Sequence, residues 1–345
     1  MKSANKKAVR IAVAIMGVVF GAASASAADK FGIFETIHHS TVSFEETATA
    51  VEAGLRGSGL TVHAVHEVRV PEGAQTARIF VLTSPDYLAA ADAESPRTVS
   101  AQILRVGVYT FGEDLQTFVN MANPRAHAMV YYAGSDNYDD LLAAADQAAQ
   151  AIRAAVADVP GEALSIPHGP MRTEKHYRKY KGDGPARMMA KFRTFRKSQL
   201  EIGEATAAEF DDTVSRVAAK LASGAVGDAE DASGWEVLAQ IPIGKNSVYL
   251  GLTNPYIEDN MIRINSRFRK DGKSESAAFP GVDHVTALPT EVLIVREGDE
   301  TLVLHYGQMW RMQLYFWDSG YRAFTANVGV PGAIANSIED ALEEF

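Results

Sequence analysis

The chain has no cysteine, so any soft-metal chemistry must come from its ten methionines and nine histidines. Thioether sulfur with imidazole is the donor set that suits copper. Two groups have that composition: Met121, His127 and Met129, and further on His305, Met309 and Met312. They are the candidate metal ligands, and copper is the cofactor alternative; no other cofactor is expected. His38-His39 and His63-x-x-His66 add imidazoles near the first group only. The two groups do not superpose residue for residue, and methionine is also a common filler of irregular core gaps.

Catalytic motifs are missing from the sequence. There is no G-x-S-x-G elbow and no P-loop, and Gly182-x-Gly184 lacks a third glycine. His66-Glu67 has no second histidine four residues after the first, so it is not a zincin motif. Without cysteine there is no thiolate nucleophile and no redox pair. An enzyme would need a dispersed site such as a Ser-His-Asp triad, which leaves no local signature.

Ligand binding without catalysis is the leading expectation. Trp310, Tyr315, Phe316, Trp317, Tyr321 and Phe324 crowd the C-terminal part. Trp310, Tyr315, Trp317 and Tyr321, with His66, are the candidate ligand-binding residues for a small apolar molecule. The same aromatics could equally fill a core. His66 alternates with Val62, Val68 and Val70 on the apolar face of a strand, where a lone histidine is more often a satisfied core residue. His63 falls on the opposite face.

The elements that must hold these residues come in two sets. Ser43-Phe44-Glu45-Glu46-Thr47 matches Glu209-Phe210-Asp211-Asp212-Thr213. Phe44, Ala48, Val51 and Leu55 then keep the spacing of Phe210, Val214, Val217 and Leu221, one stripe of an amphipathic helix. Ser43 with Glu46 reads as a capping box. Val81 to Pro85 matches Gly251 to Pro255, and Val106 to Tyr109 matches Val292 to Val295. Gly112-Glu113-Asp114 and Gly298-Asp299-Glu300 each turn a hairpin. Met129 to Tyr132 parallels Gln313 to Trp317. The offset between matches grows along the chain, mainly through a polar loop, Arg267 to Asp283.

Each copy reads as β-α-β-β-β-β-α, with last helices over Tyr138 to Ala157 and Ile334 to Glu344. The fold class is α+β: two tandem β-α-β4-α domains, each a mostly antiparallel sheet with helices on one face. Their pairing is expected to form an internal pseudo-dimer.

Lys2, Lys6, Lys7 and Arg10, the apolar run Ile11 to Ala22 and the small residues Ala23 to Ala28 read as a cleavable secretory signal. The expected divisions are 1–27 signal peptide, 28–158 first repeat, 159–198 basic linker and 199–345 second repeat. Cleavage near Ala27 and a periplasmic location follow. No later stretch is long and apolar enough for a transmembrane segment. The full chain carries −10, and the leader takes four basic residues with it, so the mature protein is more acidic still. Nucleic acid is therefore a poor partner.

The linker departs from that balance. From Arg172 to Lys197 it holds ten Lys and Arg against Glu174 and Asp183. It is expected to lie as a basic strap across the acidic repeats, with an anionic surface contact through Arg172–Lys197 as the alternative.

The order of these signals resembles the family catalogued as domain of unknown function 302. The residues that carry the likeness are Ser43 to Thr47 at a helix start, Gly54, Gly57 and Gly59 at its end, Leu82-Thr83-Ser84-Pro85 after the third strand, and Asn120-Met121-Ala122-Asn123 after the hairpin. It covers Phe31 to Ala157 and, more loosely, Leu200 to Phe345, where Gly307-Gln308-Met309-Trp310 replaces the Met-Asn segment. The resemblance implies a β-α-β4-α fold often paired as a dimer, and no known reaction. The sequence expectation is thus a periplasmic, non-catalytic binding protein for a small apolar molecule or another periplasmic protein. Copper handling and a dispersed enzyme site are the alternatives.

Overall fold

The computed structural model describes residues 29–70, 75–180, 182–183, 199–226, 233–264 and 281–343. The expected signal peptide, residues 181 and 184–198 of the basic linker and nearly all of the polar loop lie outside the described residues.

The first repeat runs β1 (Lys30–Ser40), α1 (Phe44–Gly57), β2 (Thr61–Val68), β3 (Ala77–Thr83), α2 (Pro85–Ala90), a 3-10 turn (Pro96–Gln102), β4 (Leu104–Phe111), β5 (Gln116–Ala122), α3 (Pro124–Tyr131) and α4 (Tyr138–Ala155). β6 (Gly161–Thr173) and α5 (Glu174–Arg178) follow. The second repeat runs β7 (Gln199–Thr206), α6 (Phe210–Ser223), the short β8 (Ala225–Val226) and β9 (Ser233–Gly234), then β10 (Glu236–Ile243), β11 (Ser247–Thr253) and α7 (Pro255–Arg263). A 3-10 turn (Val282–Ala287), β12 (Thr290–Glu297), β13 (Glu300–Tyr306), α8 (Gln308–Phe316), α9 (Gly320–Ala326) and α10 (Val330–Ala341) complete it.

The two main sheets have the same strand order. The first is β2-β3-β4-β5-β1-β6 and the second β10-β11-β12-β13-β7, antiparallel throughout. The fold class is therefore α+β, with the duplication visible in topology. Helix α1 begins at the expected capping box: Glu46 N donates to Ser43 Oγ at 3.3 Å and Ser43 N to Glu46 Oε2 at 3.1 Å. Ala48, Val51 and Leu55 are fully buried on its inner stripe, as are Val217 and Leu221 on α6. A side chain of Val or Leu size contributes about 1.5–3 kcal/mol by such burial.

Two features differ from the sequence expectation. Gly161–Thr173, expected within the connector, is a long strand paired with β1. Its prolines Pro167 and Pro170 are tolerated because it is the outermost strand of its sheet. Arg172, expected at a basic surface, is buried. It pairs with Asp183 at 2.5 Å and donates to the carbonyl oxygens of Leu314 and Gln313 at 3.0 and 2.9 Å. The start of the connector thus clamps the first repeat to α8 of the second, and an anionic surface cannot use Arg172. The helix α3 was also not expected, though Asn123 caps it through Ala126 N and Pro124 sits in its first turn.

The repeats pack reciprocally. The 3-10 turn Pro96–Gln102 lies on β11 and β12, and its counterpart Val282–Ala287 lies on β3, β4 and β5. Gly107 admits the second contact: a Cβ there would stand 2.4 Å from Val285 Cγ1. Each repeat offers the same surface to the other, the arrangement of an isologous dimer within one chain.

Candidate functional site

A layer of buried polar groups occupies the interface. Equivalent positions of β4 and β12 carry Arg105 and Glu291, and equivalent positions of α3 and α8 carry His127 and Arg311. Arg105 Nη2 donates to His127 Nε2 at 2.6 Å and to Tyr315 Oη at 3.0 Å. His127 Nδ1 donates to the Asn123 carbonyl at 2.8 Å, leaving Nε2 as acceptor. Burial and the neighbouring Arg105 push the His127 pKa down to about 3, so the imidazole is neutral. Arg311 donates to the carbonyls of Pro289, at 2.7 Å, and Ala287, and stands 3.7 Å from Glu291. Buried polar layers of this kind fix how two bodies dock.

The expected metal ligands fall in this layer or at its margins. Both nitrogens of His127 are already occupied. Met121 and Met129 are buried on β5 and α3. His305 pairs with Glu339 at 3.1 Å, while Met309 and Met312 are half-buried on α8. Among the described residues, no three of His, Asp or Glu are grouped to hold a metal.

The expected ligand-binding residues are dispersed. Trp310 stacks on Tyr306 with centroids 5.7 Å apart and meets Tyr131 edge-on at 6.3 Å. Tyr315 stacks on Phe34 at 5.7 Å. Both are interface core. Trp317 borders a recess of about 10 Å³ with Met312, Phe316 and Phe324, and a neighbouring recess of about 30 Å³ adjoins it. Such volumes hold one or two waters rather than a ligand. Tyr321 lies on α9, with its side chain outside the described residues.

His66 belongs to an ion-paired staple between the repeats. Its Nε2 lies 2.6 Å from Glu258 Oε1 on α7. Burial opposes its charge, but Glu258 outweighs burial and raises its pKa. Arg69 N donates to Glu258 Oε2 at 2.7 Å, and the Arg69 guanidinium meets Asp259 at 2.9 Å. Thr253 Oγ1 donates to Glu258 Oε1 at 2.7 Å.

The pseudo-twofold repeats this place on the other side of the molecule, with different residues. Strand register makes Ile241 the counterpart of His66 and Gly244 the counterpart of Arg69. The matched Ser84-Pro85 and Asn254-Pro255 make Leu88 and Ala89 the counterparts of Glu258 and Asp259. Three charged side chains and a histidine are replaced by apolar residues and glycine, so the equivalent ion pairs are missing there. The result is an open cleft of about 600 Å³ between the repeats.

Leu88, Ala89 and Val99 form the first repeat's side of its apolar lining, and Ile243 the second's. Asp92, Glu94 and Gln102 add polar groups from the first wall, Lys245 and Asn246 from the second. Ser247 Oγ donates to the Pro96 carbonyl at 3.3 Å and ties the walls together. Outside the cleft the Arg97 guanidinium takes both Glu297 oxygens, at 2.7 and 2.8 Å. None of these lining residues stands out in the sequence. They emerge only when the two copies are compared position by position.

No family model and no curated protein matches the chain. Among solved structures, it is similar to the crystal structure of an uncharacterized conserved protein DUF302 from Bacillus stearothermophilus. The identity is 17% and the TM-score 0.31, over 36% of this chain and 97% of that one.

Proposed function

We propose that the chain is an exported, non-catalytic binding protein that holds a small molecule with an apolar body in the cleft between its repeats. The observation that carries this reading is the asymmetry of the pseudo-twofold. One of two equivalent places is stapled by His66, Arg69, Glu258 and Asp259, and the other is open, with no charge at the four equivalent positions. Its volume falls within the several hundred cubic ångströms usual for ligand sites, and both walls carry polar groups beside the apolar ones. Charge at the cleft is carried by solvent-accessible side chains, which suits recognition rather than acid-base work.

Native mass spectrometry of protein isolated after export tests this. The expected result is a retained small molecule on the wild type and its loss from the exposed-site variant Ala89→Trp, with folding intact. Equal retention by both proteins would move the site elsewhere.

A further inference from the structure

The residues at the cleft mouth say more about the occupant; this step rests on the cleft being a binding site. Asp92 stands on the first repeat's wall and Lys245 on the second's. The Asp92 carboxylate faces the turn that bears Lys245, since a Cβ on Gly244 would lie 3.6 Å from its Oδ1. Yet the two charges do not pair with each other, and neither forms an ion pair with any described residue. The contrast with Arg69, seated on Asp259, is direct. Glu94 is held back by Ser135 Oγ, which donates to it at 2.7 Å.

We infer that the cleft takes a short apolar zwitterion, an amino acid or small peptide with apolar side chains. Its ammonium group lies at Asp92 and its carboxylate at Lys245. The apolar body covers Leu88, Val99 and Ile243. Such an occupant completes both unpaired charges at once, and neither a purely apolar molecule nor a singly charged one does so. Charge-assisted hydrogen bonds to each end give both affinity and direction.

Calorimetric titration of the full chain tests this, with leucine, dileucine and trileucine, each free, N-acetylated, C-amidated and doubly capped. The free zwitterion of fitting length is expected to bind. Each cap is expected to weaken it about tenfold or more, the scale of one hydrogen bond to a charged group. In Asp92→Asn the N-acetyl penalty is expected to vanish, and in Lys245→Met the amide penalty. Equal binding of free and capped peptides, or penalties unchanged in the variants, overturns the zwitterion. If capped peptides still bind and Ala89→Trp abolishes that binding, the cleft stands and only the ligand class falls. If none of the peptides binds, the ligand class falls, and the retained molecule in native mass spectrometry judges the cleft by itself.

Discussion

Arg105 and Glu291 occupy one and the same position of the two repeats and carry opposite charges. Both are almost wholly buried where the sheets face each other. Burial alone opposes charge on Arg105, but Tyr315 and Glu291 outweigh it and raise its pKa. A symmetric dimer of identical chains would place two like charges at this spot, which buried sites do not tolerate. Fusion into one chain permits the opposite pair.

Removing one member of this layer should therefore be expensive. Arg105→Met removes one of the two cations beside Glu291, leaving Arg311, and strips His127 and Tyr315 of their donor. The expected loss is about 2–3 kcal/mol in denaturant unfolding, the scale for losing hydrogen bonds to a buried charged group. The double variant with Glu291→Met is expected to lose clearly less than the sum of the single losses. Additive losses would contradict the coupling.

Stability should depend on pH from both sides. His127 has its pKa lowered to about 3 by burial and Arg105, against 6.5 unfolded. The unfolded chain binds that proton first, so stability falls as pH drops from about 6.5 toward 3. His284 is the reverse: burial opposes its charge, but Asp283 and Asp318 outweigh it and raise it to about 9. Its contribution is complete below 6.5 and is lost as pH rises through about 9. Histidine NMR titration checks both: one imidazole neutral at pH 5, another still protonated at pH 8.

The staple gives a local prediction. Glu258→Ala leaves His66, Thr253 and the Arg69 amide without their shared acceptor. The expected cost is about 2–3 kcal/mol. The His66 pKa should fall once Glu258 is gone, because burial is then opposed only by more distant charges. Amide hydrogen exchange should rise at the end of β2. An unchanged His66 titration would show that the pairing does not persist in solution.

Much of the fold was legible in the sequence because it is local. Phe44 to Leu55 and Phe210 to Leu221 declare helices by period, and Gly112 and Gly298, both at positive φ, declare the hairpin turns. Helix α3 was legible too, in Asn123-Pro124, but the sequence reading assigned no element between the hairpin and the last helix. The edge strand β6 was hidden by its prolines and polar residues. The site was not legible for a different reason. Trp310 and Tyr315 looked like ligand contacts and are interface core, whereas Leu88, Ala89 and Lys245 are ordinary residues. Their meaning lies in what the other repeat has instead, and that comparison requires the strand register.

The proposed binding place is the open cleft and not the aromatic cluster. Hydrogen exchange of the protein with and without its retained small molecule tests it most directly. Protection on loading is expected within residues 88–102 and 243–247, and none across 308–324. Protection confined to 308–324 would contradict it.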